Sequence, residues 1–236
     1  MSNGMIKSAL TKILGLKNIG KLEYFINNDL KEVWGGPFNG QKMRQSIFLE
    51  ILGNQKINYI VETGTFRGST TAFFAQWNIP VFSVELNKRY FGYSKVRLKK
   101  FDHVKIFNDN SINFLNKLSA NNSLKNIFFY LDAHGTGNNH PLKDEVDLIF
   151  SNFTNSIVMI DDFEVPNTNY GFDTRLGEKL NINLLKTLIN KYNLNIYFPS
   201  HDPLEETGSK RGMVLLCKEK EIDQILLDNK LISKYN

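Results

Sequence analysis

The sequence predicts an α/β fold: a doubly wound, mostly parallel seven-stranded sheet closed by a C-terminal antiparallel hairpin. Three observations carry this. Five short apolar runs, Tyr59–Glu62, Val81–Glu85, Val104–Phe107, Ile127–Asp132 and Ile157–Asp161, alternate with stretches of helical spacing. Such alternation is the mark of a parallel sheet with helices on both faces. Glu62, Glu85, Asp132 and Asp161 end four of these runs, and Asp109 lies just past the remaining one. Ligands of open α/β sheets bind beyond the carboxyl ends of the strands, so these acids converge on one crevice. Finally, Asn193–Pro199 and Gly212–Lys218 flank only the polar stretch His201–Arg211, and strands joined so closely pair antiparallel.

The remaining elements follow in order. Residues 5–22 set Ile6, Leu10, Ile13, Leu14 and Leu22 among Lys7, Lys12, Lys17 and Lys21, with glycine breaks at Gly15 and Gly20. This basic amphipathic pattern suits a membrane-surface helix, or an arm packed on the domain or on a second subunit. The packed arm is the preferred reading; peripheral membrane contact and a homo-oligomer stay open. The turn-rich Trp34–Gly40 marks a boundary, giving an arm and linker over 1–40 and a main domain over 41–236. Met43, Ile47, Phe48, Ile51 and Leu52 then recur at helical spacing up to Gly53. A loop near 163–178 and a helix around 180–191 precede the hairpin.

Composition narrows the class. The 236 residues are 42% apolar, enough to bury a sizeable core without covalent staples. The single cysteine, Cys217, excludes an intramolecular disulfide framework and reads as a buried core thiol. No apolar run approaches the ~18 residues that span a bilayer, and the first residues lack the layout of a secretory signal. A cytoplasmic protein is expected. The net charge of +5 is spread along the chain, which fits a small anionic substrate and gives no basic stripe for nucleic acid.

The first run leads into Glu62-Thr63-Gly64-Thr65-Phe66-Arg67-Gly68-Ser69-Thr70. Gly64 suits the tight turn after the strand, Gly68 lets the next helix start close to the sheet, and Ser69 and Thr70 can cap that helix. The loop lacks the Gly-Lys-Ser/Thr of a triphosphate site. Glu62 stands where a dinucleotide loop has its first glycine; a carboxylate there repels pyrophosphate and suits an ammonium group. Glu85, 21 residues beyond Gly64, can accept both hydroxyls of a ribose. Together these point to an adenosine ligand.

On these residues the chain resembles the class I S-adenosylmethionine-dependent methyltransferases, over roughly residues 41–218. The resemblance implies that Glu62, Gly64, Thr65 and Gly68 approach the methionine part of the donor. It places Glu85 on the ribose, with Asp109 and Ser111 beside the adenine. Strand four, Phe129-Tyr130-Leu131-Asp132-Ala133-His134, and strand five, Met159-Ile160-Asp161-Asp162, resemble the divalent-metal O-methyltransferases of the catechol and macrolide-sugar kind. That likeness implies Mg²⁺ or Mn²⁺ on Asp132, Asp161 and Asp162, hard oxygen ligands for a hard cation. Such an ion orients an acceptor hydroxyl and lowers its pKa.

Three carboxylates at one sheet edge repel one another without a cation, which supports the metal reading. Asp162 as the cap of a turn is the plainer alternative. Where the catechol enzymes have a catalytic lysine, this chain reads Gly135-Thr136-Gly137. His134 is the nearest substitute, a base, a fourth ligand or a loop histidine, with an unperturbed pKa of about 6.5 that suits proton transfer. The acids at 144 and 145 read as helix-start residues, and His103, His140 and His201 as structural or loop residues. Tyr170 and Arg175, in the loop after strand five, are expected to touch the acceptor. The reaction implied is methylation of a sugar or glycan-related hydroxyl. Its rivals are a cephalosporin-hydroxylase-like oxygenase on the same fold and a non-catalytic nucleoside-binding protein. A nicotinamide dehydrogenase is disfavoured, since no Tyr-x-x-x-Lys pair exists.

Overall fold

The computed structural model describes residues 2–121, 123–133, 140–175 and 177–235, with side chains from residue 13 onward. Strands β1 (Tyr59–Thr63), β2 (Val81–Val84), β3 (Val104–Phe107), β4 (Lys125–Leu131) and β5 (Thr154–Asp161) run parallel. Strands β6 (Thr174–Arg175) and β7 (Glu178–Lys179) form a separate small hairpin. Strands β8 (Asn195–Pro199), β9 (Met213–Cys217) and β10 (Ile232–Tyr235) complete the main sheet, in the order β10-β8-β9-β5-β4-β1-β2-β3.

The main sheet therefore has eight strands, where the sequence predicts seven. The expected hairpin forms, but it does not end the sheet. Strand β9 inserts antiparallel to β5, and β10 adds to the far side of β8. The β10 run, Ile232-Ser233-Lys234-Tyr235, alternates more and less buried positions as an edge strand with one wet face does.

Alternate residues of each central strand face opposite sides. Val61, Phe129, Leu131, Val158 and Ile160 point to a core closed by α5 (Ser111–Ser119), α6 (Leu142–Asn152) and α7 (Ile182–Tyr192). Ile60, Phe128, Tyr130, Ile157 and Met159 point to a second core closed by α2 (Lys42–Asn54), α3 (Ser69–Phe74) and α8 (Lys220–Asp228). Each large apolar side chain fully buried here contributes about 1.5–3 kcal/mol. Cys217 lies in the second core, and burial pushes its thiol up to about 12. It is the inert core residue expected.

Asparagine has a structural use. Asn87, Asn110 and Asn181 cap α4 (Lys88–Arg97), α5 and α7 by accepting from backbone amides.

The N-terminal helix α1 (Ser2–Ile26) packs on α4 of the main domain, the preferred of the expected placements. Gly15 is a kink, with φ +72°. Gly20 is no break; it is a point of close approach. A Cβ there would lie 1.8 Å from the Arg89 carbonyl oxygen, and one on Gly92 would lie 2.0 Å from that of Lys17. Glu23 fixes the pair by accepting from the Arg89 guanidinium. Among the described residues no helix is long and apolar enough to cross a membrane.

Candidate active site

The carboxyl ends of β1, β2 and β4 meet at the glycine loop. Gly64 has φ +88°, and a Cβ there would sit 2.3 Å from the Asp132 carbonyl oxygen, so only glycine lets the loop lie against the end of β4. Gly68, φ +73°, is the residue before α3. Ser69 and Thr70 do not cap α3 as expected. Thr70 Oγ1 accepts instead from the Phe38 amide at 3.1 Å, which ties residues 37–40 to the loop.

Glu85 is buried at the end of β2. Its Oε2 accepts from the Phe66 amide and its Oε1 from the Asn87 amide, each at 2.7 Å. Burial raises its pKa, and these hydrogen bonds oppose the rise. A carboxylate oxygen accepts more than one hydrogen bond, so Glu85 can hold the loop and also take a ligand hydroxyl. Glu62 faces inward. Thr71 and Ser83 both donate to its Oε2 at 2.5 Å, and burial pushes its carboxyl up to about 7 against those two bonds.

Thr65 departs from expectation. Its hydroxyl lies 2.5 Å from that of Ser83 beneath the loop, so the side chain supports Glu62 and does not face the crevice. Asp109 is turned to its own helix. Lys117 donates to it at 2.6 Å, and that bond lowers its pKa. Ser111 is buried as the first residue of α5. Asn108, overlooked in the sequence, ties β3 to the end of β2 by donating to the Glu85 carbonyl at 2.7 Å.

Asp132 follows β4, its amide donating to Thr63 at 2.9 Å. With His140, Glu145 and Asp161 it lines a small cleft. His134 lies outside the described residues.

The acid pair after β5 meets arginine. Asp161 Oδ1 accepts from the Arg44 guanidinium and from the Asp162 amide, the latter at 2.7 Å; its Oδ2 accepts from the Tyr130 hydroxyl at 2.5 Å. Arg44 is 1% exposed and also donates to the carbonyls of Arg211 and Gly212. Burial opposes its charge, but Asp161 more than offsets this and its pKa rises. Asp162 accepts from Arg211 Nε at 2.6 Å, and the same guanidinium donates to Asp173.

These residues do not fit the expected divalent site. Both Asp161 oxygens are taken by donors, and a cation beside them would face the Arg44 charge. Among the described residues, no three His, Cys, Asp or Glu side chains are grouped to hold a metal ion. The repulsion that supported a metal is relieved by guanidinium groups supplied from elsewhere in the chain.

Tyr170 is buried, 4% exposed, and packs edge-on against His201 with ring centroids 5.9 Å apart. It is a core residue and does not face the crevice. Arg175 is partly exposed and pairs with Asp173.

The sequence carried a signal for Arg44. It precedes Ile47, Phe48 and Ile51 by 3, 4 and 7 positions, so it lies on the buried stripe of α2. A cation on an apolar stripe requires a buried partner. Gln41 and Glu206 carried no such signal. Gln41 accepts from the Arg211 amide at 2.9 Å, and Glu206 accepts from the Met43 and Arg44 amides at the start of α2.

No family model matches the chain, and no curated protein does. The fold, however, is shared with solved methyltransferase structures. An O-methyltransferase from Bacillus cereus in complex with SAH superposes with a TM-score of 0.55 at 14% identity, covering 75% of this chain and 81% of that one. The methyltransferase domain of bacterial CtHen1-CN superposes with a TM-score of 0.52 at 13% identity, covering 76% of this chain and 98% of that one. This likeness establishes a Rossmann-like methyltransferase fold.

Proposed function

We propose that the chain transfers a methyl group from S-adenosylmethionine to a hydroxyl of a small acceptor, with a sugar-containing molecule as the first candidate. The observation that carries this is the Gly64 turn closed on Asp132 with Glu85 buried beside it. That cradle lies at the carboxyl edge of a fold shared with a methyltransferase solved with SAH. Glu85 is suited to ribose hydroxyls. Gly64 and Gly68 let the backbone approach the rest of the donor, and Glu62, once ionised above about pH 7, sets a negative potential under its ammonium end.

The donor, when bound, supplies an electrophilic methyl carbon on a sulfonium. Asp132, with His134 beyond it in sequence, takes the hydroxyl proton as the acceptor oxygen bonds to that carbon and sulfur keeps the electron pair. No divalent ion enters this reading, because Asp161 and Asp162 are bonded to guanidinium groups.

Calorimetry with S-adenosylhomocysteine tests the donor site, with micromolar binding expected. Incubation with labelled donor and a panel of glycans, nucleotide sugars and catechols tests transfer. A product heavier by one methylene supports it; a gain of one oxygen identifies the hydroxylase alternative. Absence of S-adenosylhomocysteine binding at millimolar concentration refutes it.

A further inference from the structure

We infer that Arg44 and Arg211 stand where the metal reading would put a divalent cation, and that the acid pair after β5 binds no such ion. This inference rests on the methyltransferase reading for its place in a reaction, but its evidence is separate. Arg44 is set on the buried stripe of α2, and three acceptors from two segments hold its guanidinium: Asp161 at the end of β5, and the adjacent Arg211 and Gly212 carbonyls. An arginine stays protonated at any pH a protein survives. Were Asp161 to turn to a metal, Arg44 would be left buried beside a second positive charge. Removing one partner from a buried ion pair is among the most disruptive of single changes.

Arg211 completes the arrangement from the other side. It bridges Asp162 and Asp173. The backbone around it joins two segments: the Gly171 amide donates to the Lys210 carbonyl, the Gly212 amide to that of Gly171, and the Phe163 amide to that of Gly212. Asp162 itself takes φ +54°, a left-handed conformation that this packing sustains. A cation in a metal enzyme ties the acid pair together and fixes the surrounding loops. Here Arg44 fixes Asp161 to α2, and Arg211 fixes Asp162 to the segment carrying Asp173. Arg44 and Arg211 are thus positioning residues that hold the crevice wall.

The experiment uses the full chain, freed of metal with chelator, and titrates it with Mn²⁺ while free ion is followed by electron paramagnetic resonance. S-adenosylhomocysteine binding is measured in parallel, with and without chelator. The wild-type chain is expected to show no saturable Mn²⁺ site up to millimolar ion, and donor-analogue affinity unchanged within twofold by chelator. Arg211→Gln, at a partly exposed side chain, takes the guanidinium charge away from Asp162 and is expected to raise Mn²⁺ affinity at least tenfold while the fold persists. One Mn²⁺ bound per wild-type chain at micromolar concentration, and lost in Asp161→Asn, overturns the inference, as does Arg211→Gln without any gain in affinity. Loss of analogue binding with Mn²⁺ still excluded would instead count against the methyltransferase reading alone.

Discussion

Arg44 on α2 and Asp161 at the end of β5 form a buried ion pair that joins a helix of one sheet face to the carboxyl edge of the sheet. The Tyr130 hydroxyl donates to the same carboxylate at 2.5 Å. Both charges have left water, so each depends on the other. Arg44→Met is expected to destabilise the chain by about 3–5 kcal/mol, because it strands Asp161 without its counter-ion. Asp161→Leu should cost a comparable amount by stranding Arg44. The double variant Arg44→Met/Asp161→Leu is expected to recover most of the loss. Urea melts of the four proteins decide this; additive losses in the double variant would show that the two residues act independently.

Glu62 gives a pH dependence with a definite sign. Its folded-state carboxyl is raised from 4.5 to about 7 by burial, against its bonds to Ser83 and Thr71. The folded chain therefore holds the proton more tightly than the unfolded chain. The stability this contributes is fully present below about 4.5 and is lost as pH rises through about 7. Glu62→Gln is expected to flatten that slope, and to melt higher than wild type at pH 8 by an amount worth on the order of 2–3 kcal/mol. For a chain of this size that is roughly 2–4 °C per kcal/mol. Identical pH profiles for the two proteins would mean that Glu62 is already ionised at pH 5.

Glu85 separates a structural role from a binding role. It takes the Phe66 and Asn87 amides, one on each oxygen. Glu85→Gln keeps the shape and one acceptor but loses the charge and one acceptor. It is expected to weaken S-adenosylhomocysteine binding by on the order of tenfold or more, since a hydrogen bond to a charged group contributes about 1.5–3 kcal/mol. Affinity within twofold of wild type would place the ribose elsewhere.

The parallel strands and the glycine loop were legible because each is written in neighbouring residues. The run Tyr59–Val61 is apolar on both faces, and Gly64 follows at the turn. The acids at the strand ends were equally visible, but their partners were not. Asp161 and Asp162 read as metal ligands because Arg44 stands 117 positions from Asp161 and Arg211 stands 49 from Asp162. Nothing local announces a contact across such separations. Tyr170 read as a loop aromatic near the crevice, yet the backbone bonds of Gly171 to Lys210 and Gly212 turn that segment inward. Thr65 went the same way, since a loop residue's side chain shows no periodicity that would reveal its direction.

Three glycines, two in the N-terminal helix and one in α2, offer a contrast. Gly20 faces the Arg89 carbonyl oxygen, 1.8 Å from where a Cβ would stand, and backbone cannot give way as a side chain would. Gly15 has open space around it but φ +72°. Gly53, inside α2, has open space and no positive φ. Gly20→Ala should therefore push α1 off α4, costing about 1–3 kcal/mol as overpacking does. Gly15→Ala should cost only the backbone strain of φ +72°, ψ 153°, a region essentially only glycine adopts, about 1–3 kcal/mol, and leave α1 docked. Gly53→Ala should stabilise the chain by up to about 1 kcal/mol. Limited proteolysis reads docking independently of stability, because an undocked α1 is cleaved between Lys7 and Lys21 before the main domain unfolds. Equal protection of the arm in Gly20→Ala and wild type would show that α1 is held by side-chain contacts such as Glu23 with Arg89 and Tyr24 with Tyr93, with no need for the close approach of the two helices.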